Sequence, residues 1–331
     1  MDSVPDSAVC NEAVKLAVKK GFGTLRGFVN GVLRNVARGL DQVEYPAEGI
    51  ERLSVVYSMP EWILKLWKKT YDLDVIESML QAFQEETPVT IRCNLAKTTP
   101  ENLKESLQKE GVTVTPHPYL SYAFRIQDYD HLSELESFQK GEFYVQDISS
   151  MLVGELADPK KGDRVIDVCA APGGKALHVA EKLRGTGSVE ARDLSLYKVG
   201  LITENIERSG LTNIHAVQKD ATVCDADVKD AADLVIADLP CSGLGVLAKK
   251  TDLKYKATEQ STKELAGLQR EILKNAASYV RPGGTLIYST CTINPAENIE
   301  NVHWFLKEFP EFVLDPIADR LCSTCLLYTS D

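Results

Sequence analysis

No apolar run in this sequence approaches the ~20 residues that cross a bilayer. The opening MDSVPDSAVCNEAV has neither the basic stretch nor the apolar core of a secretory leader. Both absences exclude a membrane-inserted or exported chain and place its expected work in the cytoplasm, away from any membrane. The eight cysteines, at positions 10, 93, 169, 224, 241, 291, 322 and 325, lack the close spacing of a disulfide framework, so reduced thiols are expected. Cys322 and Cys325 form a CxxC without a second pair, and no metal site is expected. Excess positive charge is also missing: 37 Lys and Arg stand against 48 Asp and Glu, a net charge of −11. That excludes coating of nucleic acid by bulk electrostatics and leaves room for a local basic groove.

What is present is an ordinary globular chain of 331 residues, long enough for about two domains of ~100–200 residues each. Residues 11–38 have helical periodicity, interrupted at Gly21 and Gly23, with Val14, Leu16, Phe28, Val32 and Val36 on apolar faces. Two helices cannot close a core, so residues 1–40 read as part of an all-α segment, with a linker over 41–58. Residues 59–140 read as a small α/β module. Its helices are PEWILKLWKKTY, DLDVIESMLQAFQE and the capped PENLKESLQKEG, and its strands are VTIRCNLA, VTVTPH and YAFRIQ. From residue 141 to the end, apolar runs alternate with helical segments. RVIDVCAA (164–171), SVEARD (188–193), IHAVQKD (214–220), ADLVIADLP (232–240) and GTLIYSTC (284–291) suit a parallel sheet buried on both faces. The predicted fold class is α/β, an open, doubly wound Rossmann-like sheet with its ligand at the carboxyl ends of the strands.

Three features carry chemistry. The first strand of that sheet runs into VCAAPGGKALHVA, a Gly-Gly turn that opens a helix. Glycines let a ligand approach the backbone, and the helix start offers unpaired N–H donors. The turn is neither a P-loop, since Cys169 and Ala176 stand where Gly and Ser/Thr are needed, nor a GxGxxG. Asp193 ends the second strand about 20 residues beyond the glycines, where a carboxylate holds a ribose diol. Asp167, Asp220 and Asp238 sit at or near the ends of strands one, three and four. Four carboxylates round one cleft would repel a pyrophosphate, whereas they suit the ammonium and sulfonium of S-adenosylmethionine. Finally, Cys241 (ADLPCSGLG) and Cys291 (YSTCTINPAEN) follow strands that are neighbours in doubly wound order, which puts both thiols at one crevice. A helix start near Pro295 is expected to lower the thiol pKa of Cys291.

CAAPGGK at 169–175, ADLPCSGLG at 237–245 and YSTCTINPAEN at 288–298 resemble the RNA cytosine-C5 methyltransferases. EAVKLAVKKGFGTLRGFVNGVLRNVAR is similar to the closing helices of the NusB-like domain of their RsmB-type bacterial 16S ribosomal RNA branch. SMPEWILKLW, IRCNLAKTTPENL and YVQDISSMLVGEL resemble its intermediate segment. The likeness runs over residues 11–315. It implies S-adenosylmethionine as cofactor, contacted by Cys169, Ala170, Ala171, Pro172, Gly173, Gly174, Lys175, Asp193, Asp220 and Asp238. It also implies Cys291 as nucleophile and Cys241 as the cysteine that releases product. Helices expected before residue 11 and a closing β-hairpin after about Asp319 are not in the pattern, so a fragment ending in non-native residues is expected.

The chemistry then expected is addition of the Cys291 thiolate to C6 of cytosine, methylation of the activated C5 and elimination aided by Cys241. Asp238 would hold the base edge, and Lys175 would contact base or cofactor. The partner is RNA, 16S ribosomal RNA by the resemblance, with a single-stranded loop as target because the base must leave its stack. Arg92, Asn94 and Lys97 would grip RNA backbone, and the chain would act as a monomer. Methylation of transfer or other RNA, and non-catalytic RNA binding, are the alternatives. A dehydrogenase lacks its fingerprint here.

Overall fold

The computed structural model describes residues 4–85, 87–317 and 320, which fall into two compact units, one up to Glu77 and one from Ser78 onward. In the first, α1 (Asp6–Lys19) and α2 (Arg26–Gly39) are joined through a 3-10 turn at Gly23–Leu25, where the glycines predicted a break. Much of their apolar surface stays exposed, Phe28 at 69% and Val36 at 54% among it, as expected of two helices without a core of their own. The stretch read as a linker contains a further helix, α3 (Gly49–Val56). Its Leu53 is buried, as are Ile63, Leu64 and Trp67 of α4 (Glu61–Trp67). Helix α5 (Leu73–Ala82) spans the junction of the units, and its Glu77 accepts from Arg52 at 2.8 Å and from Tyr57 at 2.9 Å.

The second unit holds two sheets. The smaller is antiparallel, in the order β2 (Thr113–Pro116), β3 (Ala123–Gln127), β1 (Val89–Cys93), β4 (Phe143–Val145). Strand β4, beyond the expected limit at 140, completes it by pairing with β1. Ile91 and Cys93 point from one face of β1 onto α6 (Pro100–Lys109), whose Leu103 and Leu107 complete that core. Thr99 caps α6 by accepting from the Asn102 N–H, and Pro100 takes the first turn where its missing N–H costs nothing. The short helix α7 (Glu136–Gln139) precedes β4, and α8 (Ile148–Ala157) leads into the larger sheet.

The larger sheet is parallel, in the order β7 (Ile214–Gln218), β6 (Ser188–Asp193), β5 (Arg164–Asp167), β8 (Ala232–Asp238), β9 (Val280–Ser289). Successive residues explain why both faces are buried. Val165, Leu234 and Ile236 pack under α9 (Gly174–Lys182) and α10 (Leu196–Ser209). Ile166, Val235 and Ala237 pack under α12 (Glu259–Tyr279) and α13 (Ile299–Glu308). A four-residue helix, α11 (Leu253–Lys256), follows the β8 loop. The order reverses between β5 and β8, which opens the ligand crevice at their carboxyl ends. The doubly wound α/β class is as the alternation predicts, and no described helix is long and apolar enough to cross a membrane.

The other face of β1 corrects an expectation. Arg92 does not face solvent to grip RNA: it is 0% exposed, donates to Gln146 at 2.7 Å, pairs with Glu181 of α9 at 3.0 Å and lies over the Tyr144 ring. Asn94 donates to the carbonyls of Gly141 and Ser209, and the Lys97 ammonium to those of Lys140 and Arg208. The strand alternates as predicted, but its polar face is buried against the helices of the parallel sheet and fastens the two sheets together. Arg92→Ala leaves Glu181 buried without its cation, a loss expected to cost about 3–5 kcal/mol. Urea unfolding checks this, and a change below ~1 kcal/mol, the scale of an exposed ion pair, would reject the seam as a stabilising element.

Candidate active site

The 169–175 loop links β5 to α9. The N–H of Ala170 donates to the Arg192 carbonyl at 2.7 Å, and that of Gly173 to the Ala170 carbonyl at 2.6 Å, folding the loop into a tight turn. Gly173, the N-cap of α9, has φ +107°, a left-handed conformation in which a side chain would be strained. Asp193, at the end of β6, is buried. Its carboxylate accepts from the Ala171 N–H at 3.1 Å and the Leu194 N–H at 2.8 Å and pairs with the Lys198 ammonium at 3.3 Å, so it fixes the loop. Cys169 is a half-buried thiol pushed up to about 12 by desolvation and by Asp167, which leaves its backbone as its part in the loop.

The structure brings several predicted residues together. Lys175, in the first turn of α9, donates to Asp238 at the end of β8 across 2.7 Å, and Ser289 donates to the other Asp238 oxygen at 2.7 Å. Asp167 ends β5 fully buried, with one oxygen accepting from the Cys169 N–H and the other without a partner among the described residues. Desolvation, followed by the charge of Asp238, raises its pKa to about 7. Asp220 stands apart: it is exposed beyond β7 and accepts from the N–H and hydroxyl of Thr222, which hold its pKa low.

At the far side of Asp238 the cysteines meet. Cys241 Sγ lies 3.2 Å from Cys291 Sγ, and the Cys291 N–H donates to Cys241 Sγ at 3.3 Å. The pKa of Cys291 is lowered to about 7, first by the hydrogen bond from Cys241, with further help from Lys250 and Lys175 against desolvation. The Cys241 thiol is raised for the same reason: its proton is shared with the neighbouring sulfur, and it is desolvated. The direction agrees with the expectation from a helix start at Pro295, but the cause differs. Pro295–Glu297 is a three-residue 3-10 turn, α13 begins only at Ile299, and the second thiol supplies the effect.

Lys250 is not among the residues predicted from the sequence. A signal for it exists, since four lysines against one aspartate lie within residues 249–256 directly after the Cys241 turn. The Gly245 N–H, donating to the Cys291 carbonyl at 3.1 Å, ties the loop that leads into that segment to the site. Among the described residues no cluster of His, Cys, Asp and Glu suits a metal ion. The residues do fit S-adenosylmethionine. The turn at Gly173 and the start of α9 offer backbone donors, while Asp167, Asp193 and Asp238 offer carboxylate oxygens as acceptors at the strand ends, Asp193 and Asp238 each with a lysine partner, Lys198 and Lys175. The CxxC at 322 and 325 and the anticipated closing strands lie outside the described residues.

Comparison with known proteins agrees with this geometry. The family model described as 16S rRNA methyltransferase RsmB/F matches residues 155–323. The ferredoxin-like domain of RsmF/B-like methyltransferases matches 59–130, and the NusB family matches 1–38. A probable ribosomal RNA small subunit methyltransferase B from Bacillus subtilis (strain 168) is 37% identical over 95% of this chain and 71% of its own length. One from Synechocystis sp. is 34% identical over 96% and 72%. Among solved structures, that of PH0851 has a TM-score of 0.85 at 28% identity, covering 95% of this chain and 70% of that one. NSun6 from Pyrococcus horikoshii, crystallised with the S-adenosylmethionine analogue SFG, has a TM-score of 0.68 at 26% identity over 74% and 86%. The chain is an S-adenosylmethionine-dependent methyltransferase and belongs to the RsmB/F family of 16S rRNA methyltransferases.

Proposed function

We propose that the protein methylates C5 of one cytosine in 16S ribosomal RNA through a covalent adduct between Cys291 and C6. The observation that carries this reading is the Sγ–Sγ contact of 3.2 Å, which pairs a thiol lowered to about 7 with one held protonated. A nucleophile alone needs one cysteine; a nucleophile that must later be expelled is served by two.

When bound, S-adenosylmethionine supplies an electrophilic methyl group. The chain's residues make C5 able to take it. The Cys291 thiolate adds to C6, which turns C5 into an enamine carbon. Asp238, held by Lys175 and Ser289, accepts a hydrogen bond from protonated N3 and so stabilises the electron-rich ring. Once the Cys291 charge is spent in the C–S bond, nothing holds the proton on Cys241. Its pKa falls back toward that of a free thiol and its proton passes to solvent. The thiolate so formed takes the C5 proton, the C5–H electron pair forms the C5–C6 double bond, the C–S pair leaves on Cys291, and N3 returns its proton to solvent. Lys250, which acts on Cys291, and its neighbours Lys249, Lys254 and Lys256 take the RNA backbone in place of Arg92, Asn94 and Lys97, Lys249 and Lys256 exchanging their Asp147 and Asp252 partners for phosphate. A monomer working in the cytoplasm on a looped-out base completes the reading. The domain limits proposed are a NusB-like segment to residue 40, a small α/β module from 59 that runs past 140 to take in β4, and the methyltransferase domain beyond.

Methyl transfer from labelled S-adenosylmethionine to small-subunit RNA tests the substrate, with cytosine C5 located by nuclease digestion. Label at transfer RNA alone would overturn the substrate. For the cofactor, Asp193→Ala removes the acceptors of both the ribose and the Ala171 N–H. It is expected to weaken binding by about 10–150-fold, or roughly 1.5–3 kcal/mol. Calorimetric titration reads this, and unchanged affinity would remove Asp193 from the site.

A further inference from the structure

Glu297 lies in the Asn-Pro-Ala-Glu-Asn turn after Cys291 and is 0% exposed. No Lys, Arg or His pairs with it among the described residues. Its carboxylate instead accepts four hydrogen bonds from neutral donors. Oε2 accepts from the Ser242 N–H at 2.8 Å and from Gln269 Nε2 at 3.2 Å. Oε1 accepts from Ser242 Oγ at 2.6 Å and from Asn294 Nδ2 at 2.9 Å. A buried carboxylate without a cation is costly unless its oxygens are hydrogen-bonded, and here each oxygen accepts two such bonds.

The donors reach both cysteine turns. Ser242 follows Cys241, and Gln269 also donates to the carbonyl of Pro240, on the other side of Cys241, at 2.9 Å. Since Ser242 Oγ gives its one hydrogen to Glu297, the 2.8 Å contact with Thr292 Oγ1 must be donated by Thr292. Thr292, next to Cys291, accepts in turn from the Asn294 N–H at 3.2 Å. Hydrogen bonds therefore run in one direction, from Asn294 through Thr292 and Ser242, and end on the carboxylate. Both cysteine turns are fastened to a single anion.

We propose that Glu297 is a positioning residue, whose carboxylate locks the 240–242 and 291–294 turns in register so that the Cys241 and Cys291 sulfurs stay within hydrogen-bond distance. The role rests on the two-cysteine reading above for its purpose, though its test does not need RNA. Glu297→Gln keeps the volume but places an amide N–H₂ where an oxygen accepted, so donor faces donor at Ser242 or Asn294, and the turns separate.

The readout is the pH dependence of Cys291 alkylation by iodoacetamide, followed by mass spectrometry of its peptide in the full chain. The charged and titratable groups acting on Cys291 are Cys241, Asp238, Lys250 and Lys175, and all remain in the variant. The wild-type midpoint is expected near pH 7. In Glu297→Gln it should rise by about one unit, which makes alkylation at pH 7 about fivefold slower. Loss of packing alone would instead change the alkylation rate by a common factor at every pH and leave the midpoint in place, since Cys291 is already exposed. A folded variant, by circular dichroism, with an unmoved midpoint would overturn the proposal. If Glu297→Gln does not fold, Thr292→Val cuts the relay without touching the charge, and the same upward shift or its absence decides. Failure of the covalent reading would show separately, as wild-type and Cys241→Ala proteins that form no RNA adduct whatever Glu297 does.

Discussion

Cys291→Ala is expected to abolish methyl transfer, a loss on the order of 10³-fold or more, while S-adenosylmethionine binding stays nearly unchanged. The split follows from the geometry. The sulfur lies beyond Asp238, at the end of β9, whereas the cofactor loop runs from β5 into α9. A filter assay with labelled cofactor and a parallel calorimetric titration separate the two quantities. The wild-type rate carries a related pH signature. With the Cys291 thiol at about 7, its thiolate is the minor form below neutrality. Each further unit of acidity there removes about tenfold of the nucleophile, and alkaline pH restores it.

Cys241→Ala should fail differently. Addition and methylation use Cys291, so the first turnover proceeds and about one methyl group is transferred per protein. Elimination then stalls, and the steady rate falls by at least about 10²-fold, the scale of a lost general base. One secondary effect has a definite sign. Cys241 is the donor that lowers Cys291, so its removal raises the Cys291 pKa and slows the burst at pH 7. At pH 8 or above the burst should recover while the steady rate does not. A steady rate that recovered as well would mean that Cys241 serves only to tune its neighbour.

The parallel sheet is legible in the sequence because strands buried on both faces leave unbroken apolar runs, and doubly wound order alone then sets Cys241 beside Cys291. The glycine turn and three of the strand-end aspartates, Asp167, Asp193 and Asp238, follow from position along a doubly wound sheet, whereas Asp220 lies exposed beyond β7 and turns to Thr222. What a single strand cannot disclose is the partner of its second face. Thr90, Arg92 and Asn94 alternate with Ile91 and Cys93 in the manner of a solvent edge, yet Arg92 meets Glu181 from a helix some ninety residues away. Strand β4 is hidden because three residues give no periodicity. Asn-Pro-Ala-Glu-Asn reads as an ordinary polar turn, and only the convergence of Ser242, Gln269 and Asn294 reveals the buried anion at Glu297. The thiol pKa shows a similar limit. A helix start predicts its direction, but its cause is a tertiary contact between two cysteines fifty residues apart.

The central claim is that Cys291 bonds to the base and Cys241 lets it go. Wild-type, Cys291→Ala and Cys241→Ala proteins, each folded and bound to cofactor, are incubated with small-subunit RNA and S-adenosylmethionine at pH 8 and run on one denaturing gel. The account predicts a protein–RNA band in the Cys241→Ala lane and none with Cys291→Ala. A band with Cys291→Ala and none with Cys241→Ala would show the roles reversed, and no band in any lane would contradict the covalent mechanism.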